Sequence, residues 1–322
     1  AEEPTTDLVL AGVEKARQAD CDAVVAMGGG SVLDAGKAVA AMLTNAGNLE
    51  DYLEVVGLGK PLARPSVPFV AVPTTAGTGA EVTRNAVLRA PQQRVKVSLR
   101  SPYLLPALAV VDPQCTDSMP PPVTASTGLD ALTQLLEAFV GNKANALTDG
   151  ICREGLTRIG TALPRAYQDG GDRDARDQMA LASLCGGLAL ANAKLGAVHG
   201  FAGPLGGMFP AAHGLACAAL LPYVCIANVE KLRKCDPDSV ALERYVEAFR
   251  RLSGREDMSI EEGLDWLKEL CAALQVPALE CFGITEDDLP ELVKKAGNSS
   301  SMKGNPVPLN DEEMLSILRA AL

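Results

Sequence analysis

Asp22-Ala-Val-Val-Ala-Met-Gly-Gly-Gly-Ser31 reads as a short apolar strand running into a glycine turn. Asp22 to Met27 has the length and Val content of a buried strand, and a helical period takes over from about Val32 to Leu43. Strand, glycine turn and helix in that order form the unit of a parallel sheet, because a parallel neighbour is reached only by a crossover. Glycine lets a backbone approach an anion closely, and a helix start offers unpaired N–H groups and the positive end of a dipole. Gly28 to Ser31 is therefore a candidate phosphate cradle. Ser31 and Asp34 are spaced as a variant capping box. The glycines do not follow G-x-G-x-x-G, so a plain strand-to-helix turn stands as the competing reading.

Outward from this unit, the first third alternates helix and strand. Thr6 or Asp7 is placed to cap a helix carrying Leu8, Leu10, Val13 and Ala16. Phe69-Val-Ala-Val72 is a second buried strand, closed by Pro73, and Leu108-Ala-Val-Val-Asp112 is a further one. Asn85 to Leu88 and Arg94 to Leu99 read as paired short strands. Continuous Val-rich runs separated by helices predict a Rossmann-like parallel sheet covered on both faces. The chain opens on a helix feeding an inner strand, so its N-terminus reads as incomplete. After Met119-Pro-Pro-Pro122 the period is helical, as in Thr127 to Val140, Ala180 to Ala191, Ala241 to Leu252, Ile260 to Leu274 and Asp311 to Leu322. The expectation is an α/β dinucleotide-binding domain over 1–118 and an all-α domain over 119–322, the proline run marking the boundary.

Composition narrows the function. A net charge of −11 over 322 residues argues against nucleic acid and against a basic membrane-binding face. No signal-peptide pattern opens the chain, and no apolar run reaches the roughly 18 residues that span a bilayer. Nine scattered cysteines without a C-x-x-C pair fit reduced thiols in a cytoplasmic protein. Cys217 and Cys225 read as small core residues rather than ligands.

Two further features are candidates for chemistry, against the plainer readings of a polar loop and of two histidines that fall close by chance. Pro73-Thr-Thr-Ala-Gly-Thr-Gly-Ala-Glu-Val-Thr83 places hydroxyls and glycines just after a strand, where α/β sheets bind ligands. The chain has only 2 histidines, His199 and His213, both beside glycine and close in sequence. Imidazole used so sparingly points to metal binding or acid–base work.

Four segments are similar to the iron-containing (group III) alcohol dehydrogenases. They are Gly28-Gly-Gly-Ser-Val-Leu-Asp-Ala-Gly-Lys37, Pro73 to Thr83, Gly128-Leu-Asp-Ala-Leu-Thr-Gln134, and Val198-His-Gly-Phe-Ala-Gly-Pro-Leu-Gly206 followed by His213-Gly214. The resemblance implies a dehydroquinate synthase-like fold and hydride transfer between NAD or NADP and an alcohol, aldehyde or ketone. It implies a small-molecule substrate and a homodimer. It places Gly29, Gly30 and Ser31 at the pyrophosphate, with Asp34 in the same turn. Thr74, Thr75 and Thr78 would line phosphates and ribose, with Asn85 and Lys96 further round the cofactor pocket.

The family's metal is held by one Asp and three His. By the resemblance, Asp130, His199 and His213 take three of these places and serve as catalytic residues. The remaining ligand falls at Gln134, and Gly203 stands where the family often has another His. Asp130 and Gln134 share a helix face at i and i+4, but an amide offers only a neutral oxygen or an N–H donor. Three arrangements stand open: an Fe2+ or Zn2+ site with Gln134 as a weak ligand, a metal-free site with a histidine donating to the carbonyl, and a silent nucleotide-binding homologue. A bound metal would act as Lewis acid at the alcohol oxygen. A maleylacetate reductase-like enzyme is a further alternative, with Lys194 as its candidate basic residue.

Overall fold

The computed structural model describes residues 3–54, 56–92 and 95–322. Helix α1 (Thr6–Gln18) is capped by Thr5, whose hydroxyl oxygen accepts from the Leu8 N–H. Val9 and Val13 face inward, while Leu8 and Leu10 are exposed. This corrects the expected cap; of the apolar residues named from the sequence, Val13 alone is buried. Adjacent apolar residues allow two stripes on this helix, and the buried one packs with α2 (Gly30–Thr44).

Strands β1 (Val24–Gly28) and β2 (Phe69–Pro73) flank α2 and run parallel, in register from Val24 with Phe69 to Gly28 with Pro73. A one-turn helix, α3 (Leu49–Tyr52), lies in the connection. The hairpin strands β3 (Asn85–Ala90) and β4 (Val95–Arg100) pair antiparallel. The expected start of the second strand, Arg94, lies outside the described residues. Strand β5 (Leu108–Ala109) pairs parallel with β2, giving the order β1-β2-β5, and is shorter than the Leu108 to Asp112 run suggests. Ala26, Phe69 and Ala71 are buried with Leu33 and Ala40 of α2. On the opposite face Val25 is 68% and Met27 62% exposed. Cover on both faces is thus not found among the described residues. Alternate strand residues face opposite ways, and only the α2 side buries its set.

The Ser31–Asp34 capping box is also corrected. Gly29 is the N-cap of α2, without any side-chain cap bond. The Asp34 carboxylate instead accepts from the Val87 N–H at 2.9 Å, and Lys37 Nζ lies 3.5 Å from it. Buried Lys37 donates to Thr83 Oγ1 and to the Asn85 carbonyl, both at 2.9 Å. Burial raises the Asp34 pKa and lowers that of Lys37, each against the pull of the other. The pair ties α2 to the β3–β4 hairpin.

Nine helices follow: α4 (Pro121–Val140), α5 (Ala146–Gln168), α6 (Arg173–Asn192), α7 (Ala197–Met208), α8 (His213–Cys235), α9 (Val240–Ser253), α10 (Ile260–Ala273), α11 (Leu289–Gly297) and α12 (Asp311–Ala321). One hydrophobic cluster runs through them. The proline run begins α4 and puts Asp130 in mid-helix, rather than near a start at Thr127. Proline at the first helical positions gives up N–H groups that lack an intrahelical partner anyway. Helix α8 is long and apolar enough to cross a bilayer, contrary to expectation, yet 67% of its most apolar window is buried in protein.

Arg153 of α5 grips Glu247 of α9 through Nε and Nη2 at 2.6 and 3.0 Å, and Arg251 adds a bond at 2.8 Å. These partners, Arg153 foremost, lower the Glu247 pKa from 4.5 to about 2. A depressed carboxylate stabilises the fold above its unfolded pKa and loses that contribution as pH falls through the folded one. Glu247→Gln should therefore be less stable than wild type at pH 7, by urea midpoint, with the gap closing towards about pH 2. An equal gap at both ends would refute this.

Candidate metal and dinucleotide site

Three helices converge on one point. Asp130 comes from the middle of α4, His199 from the first turn of α7, and His213 is the first residue of α8. His199 Nε2 lies 3.2 Å and His213 Nε2 3.8 Å from Asp130 Oδ1. The approach of α8 depends on Gly214, where a Cβ would stand 2.1 Å from the Ser126 carbonyl oxygen of α4. Asp130 and His199 side chains are 3% and 7% exposed, and His213 is 37% exposed, so the cluster opens to solvent on the His213 side.

Two residues missed in the sequence reading join them. Glu137 lies two turns along α4 from Asp130. One of its oxygens accepts from His199 Nδ1–H at 2.7 Å and the other from the Val198 N–H at 2.7 Å. Holding Nδ1 as the donor leaves the Nε2 lone pair turned to the cluster. Cys217, expected as core, is one turn along α8 from His213, with its Sγ 3.8 Å from His213 Nε2. Spacing carried the signal in both cases, since i+4 and i+7 residues share a helix face.

Donor atoms of Asp130, His199, His213 and Cys217 all lie within 4.8 Å of one another. Burial disfavours charge throughout, but mutual attraction outweighs it. Cys217, Asp130 and Glu137 raise His199 well above the ordinary imidazole range, and Cys217 chiefly raises His213. The histidines in turn lower Asp130 and Cys217. A carboxylate oxygen, two imidazole nitrogens and a thiol sulfur grouped this closely are donor types that hold a divalent cation, whose binding displaces their protons. The residues present fit the metal that the resemblance implies.

Gln134, the fourth ligand position by the resemblance, borders the cluster through a side-chain hydrogen bond to Asp130. Its amide nitrogen donates to the Thr78 carbonyl at 3.4 Å, and its buried Oε1 has no hydrogen-bond partner. That oxygen faces Gly186 of α6, 2.9 Å from where a Cβ would be.

The two glycine-rich segments meet face to face. A Cβ at Gly30 would lie 2.8 Å from Thr78 Cγ2, and one at Gly29 3.3 Å from Thr75 Cγ2. The Thr74 N–H donates to the Gly28 carbonyl at 2.9 Å, holding the second loop beside the first. Ser31 stands in the first turn of α2. No side chain caps that helix, which suits an anion at its N-terminus. Thr78 borders both neighbourhoods, with Gly30 on one side and Gln134 on the other. Asn85 is engaged through its carbonyl with Lys37, and Lys96 pairs with Glu3 and lies against Gly206 of α7. A cavity of about 440 Å³ between Val82, Leu105 and Leu188 is lined by none of these donors.

Residues 1–113 match the family described as iron-containing alcohol dehydrogenase, and residues 124–322 its C-terminal part. The chain belongs to the iron-containing alcohol dehydrogenase family. It is 35% identical over 320 residues to alcohol dehydrogenase 4 of Schizosaccharomyces pombe, covering 99% of this chain and 73% of that one. It is 36% identical over 323 residues to the 1,3-propanediol dehydrogenase of Citrobacter freundii, covering 99% and 80%. The crystal structure of a 1,3-propanediol oxidoreductase superposes with a TM-score of 0.90 at 33% identity, covering 100% of this chain and 82% of that one. A sulfoacetaldehyde reductase from Bifidobacterium kashiwanohense, solved with NAD+, gives 0.88 at 29%, covering 100% and 81%. This member of the family is an oxidoreductase of the alcohol dehydrogenase type, with an α/β N-terminal part and a helical remainder.

Proposed function

We propose that this chain interconverts a small alcohol and its aldehyde, using NAD(H) and a divalent metal held by Asp130, His199 and His213. The observation that carries the reading is the convergence of these three side chains, from three helices, beside a buried carboxylate that fixes the His199 tautomer. A metal held there would supply Lewis acidity at the alcohol oxygen, and a bound dinucleotide would supply the hydride acceptor. Asp130 contributes the negative charge. Glu137 holds the His199 ring in place, and buried α4 and α7 exclude water from its far side. His213 stands at the solvent-facing mouth, where substrate enters. Gly29, Gly30 and Ser31 cradle the diphosphate, with Thr74, Thr75 and Thr78 opposite.

NAD is the first cofactor to try because a related reductase was solved with NAD+. We take 1–118 as the dinucleotide half and 119–322 as the metal half, since the strands precede α4 and the metal donors follow it. Five buried, unpaired cysteines support a reducing, cytoplasmic setting. Lys194, the candidate basic residue for a maleylacetate-like substrate, is exposed in the connection from α6 to α7.

The test is elemental analysis of the chain purified without chelator, followed by aldehyde-dependent oxidation of NADH and NADPH. Bound iron or zinc with turnover is expected. Turnover in metal-free protein would favour instead a protonated His199 or His213 donating to the carbonyl oxygen.

A further inference from the structure

Resting on that reading, the chain departs from its family at the fourth ligand. Gln134 borders the cluster through a side-chain hydrogen bond to Asp130, but its amide nitrogen, which also reaches the Thr78 carbonyl at 3.4 Å, has no lone pair to give, and its unpartnered oxygen faces Gly186. Cys217 is the remaining donor grouped with Asp130, His199 and His213. Cys217 is fully buried, and the i, i+4 spacing on α8 puts its sulfur on the same face as the His213 imidazole. We propose that Cys217 supplies the fourth protein ligand as a thiolate, making an Asp/His/His/Cys site for a thiophilic divalent ion such as zinc.

Distances support this. Zinc–ligand lengths of about 2.0–2.1 Å to nitrogen or oxygen and about 2.3 Å to sulfur, at tetrahedral angles, put nitrogen and oxygen donors about 3.3 Å apart and sulfur and nitrogen about 3.6 Å apart. Here Asp130 to His199 is 3.2 Å, Asp130 to His213 is 3.8 Å, and Cys217 to His213 is 3.8 Å. Movements of a few tenths of an ångström bring these three pairs to zinc geometry. A sulfur donor also binds zinc more strongly than a neutral amide oxygen does. Burial raises the other buried cysteines, Cys152 to about 12 and Cys225 likewise upward. Cys217 is distinguished from them by its position among ligands. The exposed His213 side is where a substrate oxygen would approach the site.

The test uses Co2+ as an optical probe on the metal-stripped full chain. Stoichiometric Co2+ uptake with a near-ultraviolet sulfur-to-cobalt charge-transfer band is expected, and zinc should protect Cys217 from alkylation as read by mass spectrometry. Cys217→Ser should abolish the band and weaken zinc binding by more than the about 10–100-fold that loss of an outer-sphere partner costs. Should that variant fail to fold, the wild-type band and protection still decide. Co2+ bound without the band, or a band surviving in Cys217→Ser, overturns the thiolate ligand and leaves the metal site standing. No uptake of Co2+ or Zn2+ overturns the metal reading and the thiolate with it.

Discussion

Asp130→Asn should strip the metal and lower kcat/KM by about 1,000-fold or more. The amide keeps the shape of the carboxylate and removes the charge that faces His199 at 3.2 Å and His213 at 3.8 Å. A Lewis acid at the reacting oxygen contributes several kcal/mol, and each 1.36 kcal/mol is tenfold in rate, so about 4 kcal/mol gives the expected factor. Elemental analysis and steady-state kinetics are read together, with circular dichroism to show that the helices persist. A folded variant that keeps its metal and stays within about tenfold of wild type would remove Asp130 from the ligand set.

The second large effect is a reversal of sign between two identical substitutions. In α5, Gly150 is exposed and a Cβ there meets nothing, so Gly150→Ala should stabilise the protein by about 0.5–1 kcal/mol through helix propensity. In α6, Gly187 has the same propensity to gain, but its Cβ would lie 2.5 Å from the Gly79 carbonyl oxygen and 2.7 Å from the Gly79 Cα. Both obstacles are backbone, so no rotamer change relieves them. Gly79 is itself fixed at φ +60°, a conformation that its own replacement would strain. Overpacking costs about 1–3 kcal/mol, which exceeds the propensity gain, so Gly187→Ala should destabilise. It should also raise KM for NADH, because the displaced loop carries Thr78. Urea midpoints of the two variants settle the comparison, and a stabilised Gly187→Ala would show that the loop does not press on α6.

What was legible in the sequence was local. The strand–glycine–helix unit, the Thr-rich loop and the histidines each declare themselves within a dozen residues, and the structure brings them to neighbouring places. What was not legible depended on partners. Whether Leu8 or Val9 faces inward on α1 is decided by where α2 lies. Whether Val25 is buried is decided by what lies over β1. Cys217 looked like core because a buried thiol and a thiolate ligand share composition and differ only in neighbours. Glu137 carries no apolar periodicity to betray its burial, and the Pro120–Pro122 run reads equally as a linker or as the start of α4.

Glu137 also links site occupancy to the mechanics of a helix. Helix α7 has no cap from its own N-terminal residue, and its first N–H groups are satisfied from afar, Val198 by Glu137 and Ala197 by Asn305 Oδ1 at 3.1 Å. Unravelling that first turn would carry His199 out of the cluster, so opening of α7 and release of a ligand gripping His199 are one equilibrium. A ligand at one hundred times its dissociation constant adds about 2.7 kcal/mol against such opening. Loss of metal would then register first as a loosened α7, exposing Ala197 to Phe201 to proteases before the rest of the fold yields.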